Sequence, residues 1–334
     1  MIRKKKTIDQ KPAWKKNLDQ KRQARMGELL VRLITVVVFI FIVLVVFSIW
    51  KSLRKSAWDG KHQLNFVVQG KKVVVYSFHP EEDLLNILIF NPDTYIPAAQ
   101  GFGDYPIANI VKLGNQEKIN GSNLLSLSLQ QFLAVPIDGT ILINDSQEIN
   151  NTDLFNKTNL ILIYLCLFRQ KCQTNFTNWD LLRMGLNFSR MNSGQIRLLD
   201  FSQTQAIVRE TLPDGSTILK PDYLKIDKLS LELMGDLTAL EENTTISLIN
   251  STLTSGLANN FGRLVKNLGL KLIHTADGQE NVKTSVIYYK DDQVKKSYTL
   301  KRLVTTFQLK KVEKNDGMEE DLQFVLGEDL SRPY

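Results

Sequence analysis

Three histidines, His62, His79 and His274, and two cysteines, Cys166 and Cys172, carry the side chains of this 334-residue chain best suited to metal binding or nucleophilic attack. They are scattered, and each histidine reads as a surface or strand-end residue rather than a ligand or base. Two cysteines are too few for a disulfide framework or a zinc cluster. Cys166 reads as core filler, and a bond between it and Cys172 is left open. The sequence holds no Gly-x-x-x-x-Gly-Lys-Ser/Thr, no His-Glu-x-x-His and no Gly-x-Ser-x-Gly. Gly101-Phe102-Gly103 lacks the strand-to-helix setting in which backbone amides hold a phosphate, so it reads as a turn. Asn250-Ser251-Thr252 stands between a strand and a helix start, where capping is the ordinary role. Motif chemistry therefore gives no enzyme.

The elements around these residues are mixed. With 43% hydrophobic and 23% charged positions, the chain can form two ordinary cores, and disorder along its whole length is excluded. Leu64, Phe66 and Val68 alternate with polar residues, Gly70-Lys71 turns, and Val73 to Tyr76 returns as the second arm of a hairpin. Leu84 to Phe90 is apolar nearly throughout, as a strand covered on both faces should be, and ends in the turn Asn91-Pro92-Asp93. Ser122 is the expected N-cap of a helix whose stripe is Leu125, Leu129, Phe132 and Leu133, stopped by Val135-Pro136. Leu160 to Phe168 is too short to span a bilayer and reads as a buried helix. A short helix is expected around Trp179 to Asn187, then a hairpin turning at Pro213-Asp214-Gly215 between residues 206–208 and 217–219.

From Leu231 to Asn243 the chain turns acidic and loses its period. A new unit then runs strand (Thr245 to Ile249), helix (Leu257, Phe261, Leu264, Val265 and Leu268, closed by Gly269) and strand (Leu270 to Ile273). It continues with strand (Ser285 to Tyr289), helix (Tyr298 to Phe307) and strand (Leu322 to Leu326). This β-α-β-β-α-β order makes an α/β unit that can fold alone.

The formal net charge of +7 points first to nucleic acid, but its placement decides otherwise. Residues 1–32 hold eleven Lys or Arg against three acids, a local +8, and the rest of the chain has 31 basic and 32 acidic residues. Leu33 to Trp50 is an uncharged stretch of 18 residues bracketed by Arg32 and Lys51. Extended back through Leu29, it covers a hydrocarbon layer of roughly 30 Å. No small-residue cleavage site follows it, so it reads as an uncleaved anchor, with the basic tail in the cytosol and everything after Trp50 outside. The tail reads as an orientation signal against anionic lipid. No helix-turn-helix precedes the membrane segment, and nucleic acid is not an expected partner.

Two stretches resemble a known family. Ile249-Asn250-Ser251-Thr252, Ser255-Gly256-Leu257-Ala258, Leu268-Gly269, Ser285 to Tyr289 and Leu322 to Asp329 resemble the LytR C-terminal domain that ends many LytR-CpsA-Psr envelope proteins. Ser77-Phe78-His79-Pro80, Leu88 to Tyr95 and Phe132 to Gly139 are similar to successive pieces of the catalytic domain of that family. The resemblance implies an α/β chain of five parts. These are a cytosolic tail (1–32), a single transmembrane helix (33–50), a stalk (51–61), a degenerate mixed α/β domain of the LytR-CpsA-Psr type (62–235) and a small α/β LytR C-terminal domain (243–334).

Members of the family transfer glycopolymers from polyprenyl-pyrophosphate carriers to the cell wall, using a divalent cation held by acids and an arginine clamp. Where the family has Ile-Pro-Arg-Asp-Thr, this chain has Phe90-Asn91-Pro92-Asp93-Thr94, so the acid stays and the arginine is lost. The earlier Ser-Asp pair falls at Gly70-Lys71. The later Asp-x-x-Gly-Gly-Val signature and the Tyr-x-Arg and Arg-Gln cluster are not found, and Arg183, Arg190, Arg197 and Arg209 stand outside that pattern. Losing one such electrostatic contact costs roughly 3 to 4 kcal/mol. The expectation is therefore a non-catalytic envelope protein that binds wall glycopolymer, polyprenyl carrier lipid or an envelope protein, with no cofactor. The competing reading is an active phosphotransferase using Mg²⁺. In it Asp93, also the candidate metal ligand, and Asp138 with Arg183 or Arg190 would rebuild the site, although Asp138 also reads as a turn residue before Gly139.

Overall fold

In the computed structural model the described residues are 32–44, 46–48, 56–143, 172–211, 213, 215, 217–314 and 317–331. Leu64–Gln69 (β1) and Val73–His79 (β2) form the expected hairpin, with Phe66 opposite Tyr76 and Gln69 opposite Val73. Leu84–Phe90 (β3) pairs antiparallel with β2. Its side chains are buried from Leu85 to Phe90, which is why it carries almost no polar residue. Tyr95–Ala98 (β4) and Gly103–Pro106 (β5) make a small hairpin through the Gly101 turn. Two helices follow, Ile110–Gln116 (α1) and Gly121–Leu133 (α2). The N-cap of α2 is Asn120, whose side chain accepts from the Ser122 and Asn123 amides, so Ser122 receives the cap rather than providing it.

Gly139–Ile143 (β6) runs parallel to β1, and Cys172–Thr174 (β7) pairs antiparallel with β6. Asn178–Arg190 (α3) starts in a capping box between Thr177 and Asp180. Ile196–Asp200 (β8) then closes a six-stranded sheet of order β7-β6-β1-β2-β3-β8. Each face carries its own core. On one, Val67, Val75, Leu88 and Phe90 meet Leu124, Leu125, Leu129 and Phe132 of α2. On the other, Phe66, Tyr76, Phe78 and Ile87 meet Leu181, Met184 and Phe188 of α3. Gly139 is required where it stands, because a Cβ there would lie 2.1 Å from Phe176 Cζ.

Ile207–Thr211 (β9) and Thr217–Pro221 (β10) form the hairpin expected around residues 213–215. The acidic stretch read as irregular is instead two helices, Tyr223–Met234 (α4) and Leu237–Glu242 (α5), capped by Asp222 and Asp236. Gly235 breaks one from the other, which is what hid the period.

The C-terminal sheet has the order β12-β11-β15-β13-β14. Its strands are Thr245–Asn250 (β11), Lys271–Asp277 (β12), Val286–Tyr289 (β13), Lys310–Glu313 (β14) and Leu322–Leu326 (β15). Leu257–Leu268 (α6) and Tyr298–Phe307 (α8) pack on one sheet face. Asp292–Lys296 (α7) and Glu328–Ser331 (α9) are short additions. Gly269 ends α6 at φ +114°, the left-handed conformation expected of it. The helix start is Gly256 rather than a cap from residues 250–252, and Asn250 instead donates to the Thr254 carbonyl at 3.1 Å. β14 was not foreseen, having a single apolar residue, Val312.

The described residues from 56 onward form one unit, and those before it belong to another. Residues 32–44 and 46–48 are helical, with Leu33, Phe39 and Phe41 more than 60% exposed. Among the described residues no helix is long and apolar enough to cross a membrane. The remainder of the expected 33–50 span, residues 1–31 of the basic tail and residues 51–55 of the stalk lie outside the described residues, as does Leu160 to Phe168. Cys172 is disulfide-bonded; Cys166, the only other cysteine of the chain, also lies outside the described residues.

Candidate functional site

Asp138 directly precedes β6, at the amino end of the central parallel strands. Its backbone N–H donates to the Asn65 carbonyl at 2.7 Å, and its carboxylate accepts from the Asn65 N–H at 2.9 Å. Both carboxylate oxygens also receive Arg302 of α8, at 2.7 Å from Nη1 and 2.9 Å from Nη2. The two side chains are 7% and 10% exposed, so this is a buried fork joining the C-terminal domain to the large sheet. Burial pulls the Arg302 guanidinium down, but the Asp138 carboxylate more than reverses that, and the group is held firmly charged.

Around the fork lies a second layer. Tyr298, one turn earlier on α8, donates to Asp236 at 2.5 Å, and Arg302 Nε stands 4.0 Å from the same carboxylate. Burial raises the Asp236 carboxyl above its ordinary value, partly offset by Tyr298 and Arg302. Glu242 of α5 accepts the N–H groups of Tyr298 and Thr299 at 2.7 and 2.8 Å, satisfying the first turn of α8. The His62 ring stacks on Tyr298 at 4.0 Å, and its Nδ1 lies 2.5 Å from Asp59.

Beneath this layer the large sheet is polar. Asn65, Ser77 and Asn86 stand side by side across β1, β2 and β3, all buried, with Gln63 and His79 next to them. Gln63 donates to Ser77 at 3.0 Å and to the Met234 carbonyl at 2.6 Å, and Asn86 donates to the Leu233 carbonyl at 2.7 Å. His79 Nε2 lies 3.1 Å from the Leu233 carbonyl. Burial lowers the His79 pKa, against the Leu233 hydrogen bond, so the neutral ring is favoured. These side chains hold the last carbonyls of α4, fixing the corner that leads to Asp236.

A second arginine repeats the lock. Arg263 of α6 contacts Asp227 of α4 at 2.6, 2.8 and 3.1 Å, donates to the carbonyls of Gln131 and Phe132, and lies over the Tyr223 ring at 4.8 Å. Asn267 adds bonds to the Leu133 carbonyl and to Asp227, both at 3.2 Å. The carbonyl end of α2 is thus closed by a cation from the C-terminal domain.

The sequence candidates do not converge. Asp93 is exposed in the turn after β3, its N–H donating to the Asn91 side chain at 3.0 Å. It lies beyond the carboxyl end of β3, whereas Asp138 lies beyond the amino end of β6. Gly139 is level with Phe66 and Phe90 is level with Gln69, so the strands alone separate the two acids by about 10 Å. Arg183 donates to the Trp58 carbonyl at 2.7 Å and lies over Trp179 at 5.1 Å. Arg190 is exposed in the last turn of α3, and Arg197 is exposed on β8. Arg302 and Arg263 carry no signal beyond a basic residue beside the apolar stripe of a helix.

This donor set does not fit a Mg²⁺-pyrophosphate centre. Both oxygens of Asp138 face a guanidinium, and Asp93 is at the other end of the sheet. Among the described residues there is no group of three His, Cys, Asp or Glu side chains placed to hold a metal ion. A polar cleft of about 510 Å³ opens elsewhere, at the carboxyl ends of β11 and β12, bordered by Asn250, Thr252, Ser255, Asn259, Thr275 and Asp277.

Comparison with known proteins gives the following. B. subtilis TagT is 12% identical over 53% of this chain and 91% of that one, with a TM-score of 0.38. TagT bound to LIIa-WTA gives 12%, 53%, 91% and 0.39, and B. subtilis TagV gives 13%, 53%, 97% and 0.39. No curated protein matches the sequence. Residues 243–330 match the family described as LytR cell envelope-related transcriptional attenuator. Residues 243–330, whose arginines close on Asp138 and Asp227, are therefore similar to the LytR C-terminal family.

Proposed function

We propose that this chain is a membrane-anchored, extracytoplasmic envelope protein of the LytR-CpsA-Psr type that has exchanged catalysis for binding. The observation that carries the reading is the commitment of Asp138 to Arg302. A carboxylate gripped by both terminal nitrogens of a buried guanidinium has no free oxygen pair to offer a cation, and releasing it would leave two buried charges. The loss of arginine at Pro92 and of the acid at Lys71 agrees with this. The ligand is wall glycopolymer, polyprenyl carrier lipid or another envelope protein. TagT, solved bound to LIIa-WTA, makes glycopolymer the first to try. Anchoring rests on the charge step across residues 33–50, which puts the basic tail inside and the two domains outside.

The test is equilibrium binding of the full chain, in detergent, to isolated wall material with and without its attached glycopolymer. Saturable retention that falls when the glycopolymer is stripped supports the reading. No retention on either preparation, nor on polyprenyl-phosphate vesicles, removes it.

A further inference from the structure

Among the described residues the two large sheets end in four edge strands, and three are protected. β7 has only three residues, β8 carries Arg197 and Asp200, and β14 carries Lys310 and Lys311. Short length and charge on the edge are the usual defences against pairing with another chain. β12 is different. It is seven residues long, Lys271-Leu272-Ile273-His274-Thr275-Ala276-Asp277, and its only Lys, Arg or carboxylate groups are at its two ends. Six of the seven residues are exposed, with Ile273 at 56%. β11 pairs with one side of it, and among the described residues no strand pairs with the other. A single bulge, which takes Ile273 out of register with β11, is the one protective device it has.

The charge order of β12 suits one occupant in particular. Read antiparallel against itself about His274, Lys271 falls opposite Asp277, Leu272 opposite Ala276 and Ile273 opposite Thr275. Both ends then make opposite-charge pairs, Leu272 faces Ala276, and the exposed Ile273 lies against Thr275. Such a self-complementary strand is what a twofold interface requires. A parallel partner strand of the same sequence would instead set Lys271 beside Lys271 and Asp277 beside Asp277.

We propose that β12 pairs antiparallel with β12 of a second copy of this chain, joining the two C-terminal sheets across a twofold axis at His274. The two five-stranded sheets then become one continuous sheet.

Among the described residues the chain has no free cysteine, so an engineered one is a clean reporter. In the full chain purified in detergent, His274→Cys is expected to form a covalent dimer on mild oxidation, and Lys283→Cys, at an exposed position off the strand, is not. Sedimentation equilibrium supplies a reading that needs no cysteine. Lys271→Glu should weaken self-association about 10-fold, and adding Asp277→Lys should restore it, since the pair is then reversed but still complementary. A chain that stays monomeric at all concentrations overturns the proposal. So does equal cross-linking of the two cysteine variants, or a double charge reversal that fails to restore association.

Discussion

Arg302 grips Asp138 across 164 residues of sequence, with Nη1 and Nη2 at 2.7 and 2.9 Å from the two carboxylate oxygens. The pair turns a residue that could have been chemical into the joint between two domains. Its partner layer, Tyr298 on Asp236 and Glu242 on the first turn of α8, makes that joint a surface rather than a point.

Truncating one member should be costly. Arg302→Met leaves Asp138 buried and unpaired, and is expected to destabilise the chain by about 3–5 kcal/mol in urea unfolding. Asp138→Asn combined with Arg302→Met should cost clearly less than the two single changes added together. Additive effects would mean that the pair contributes little.

Stability should also fall on the acid side through His79. Burial lowers its folded pKa below the ordinary 6.5, so the unfolded chain takes up the proton first. Its contribution is complete above 6.5 and is lost as pH drops below that value toward the folded pKa. His79→Gln keeps a donor near the Leu233 carbonyl and cannot titrate. The variant should show a flatter stability profile between about pH 6.5 and 5. An unchanged slope would place the titration elsewhere.

Gly139 tests how tightly the start of β6 is held. A methyl there meets the Phe176 ring, and Gly139→Ala should lower stability by about 1–3 kcal/mol. Adding Phe176→Leu should recover part of it, measured by thermal unfolding. A neutral Gly139→Ala would show that the ring moves freely.

Legibility in the sequence followed the range of the interaction. The β1–β2 hairpin, β3 and the span of α8 could be read because period and turn chemistry are local. The α4–α5 corner could not, since Gly235 and Asp236 interrupt the apolar period just where two short helices meet. Asn120 outranked Ser122 as a cap because the helix begins at Gly121, two residues earlier than a Ser122 cap would set it. Asp138 was visible as a turn residue and through family resemblance, yet its partner was not. Nothing local to Leu300-Lys301-Arg302-Leu303 says that this arginine turns inward to a carboxylate on another domain. Asp93 was singled out by its motif, and only the strand directions reveal that it sits at the end of the sheet away from Asp138.

The most direct measurement is turnover of the full chain, in detergent, on a polyprenyl-pyrophosphate-linked glycopolymer with Mg²⁺ and wall acceptor. With Asp138 held by Arg302 and Pro92 standing where an arginine would be expected beside Asp93, product formation should not exceed that of the buffer with Mg²⁺ alone. Transfer that is clearly faster, and that disappears in Asp93→Ala, would contradict the binding reading and restore a catalytic one.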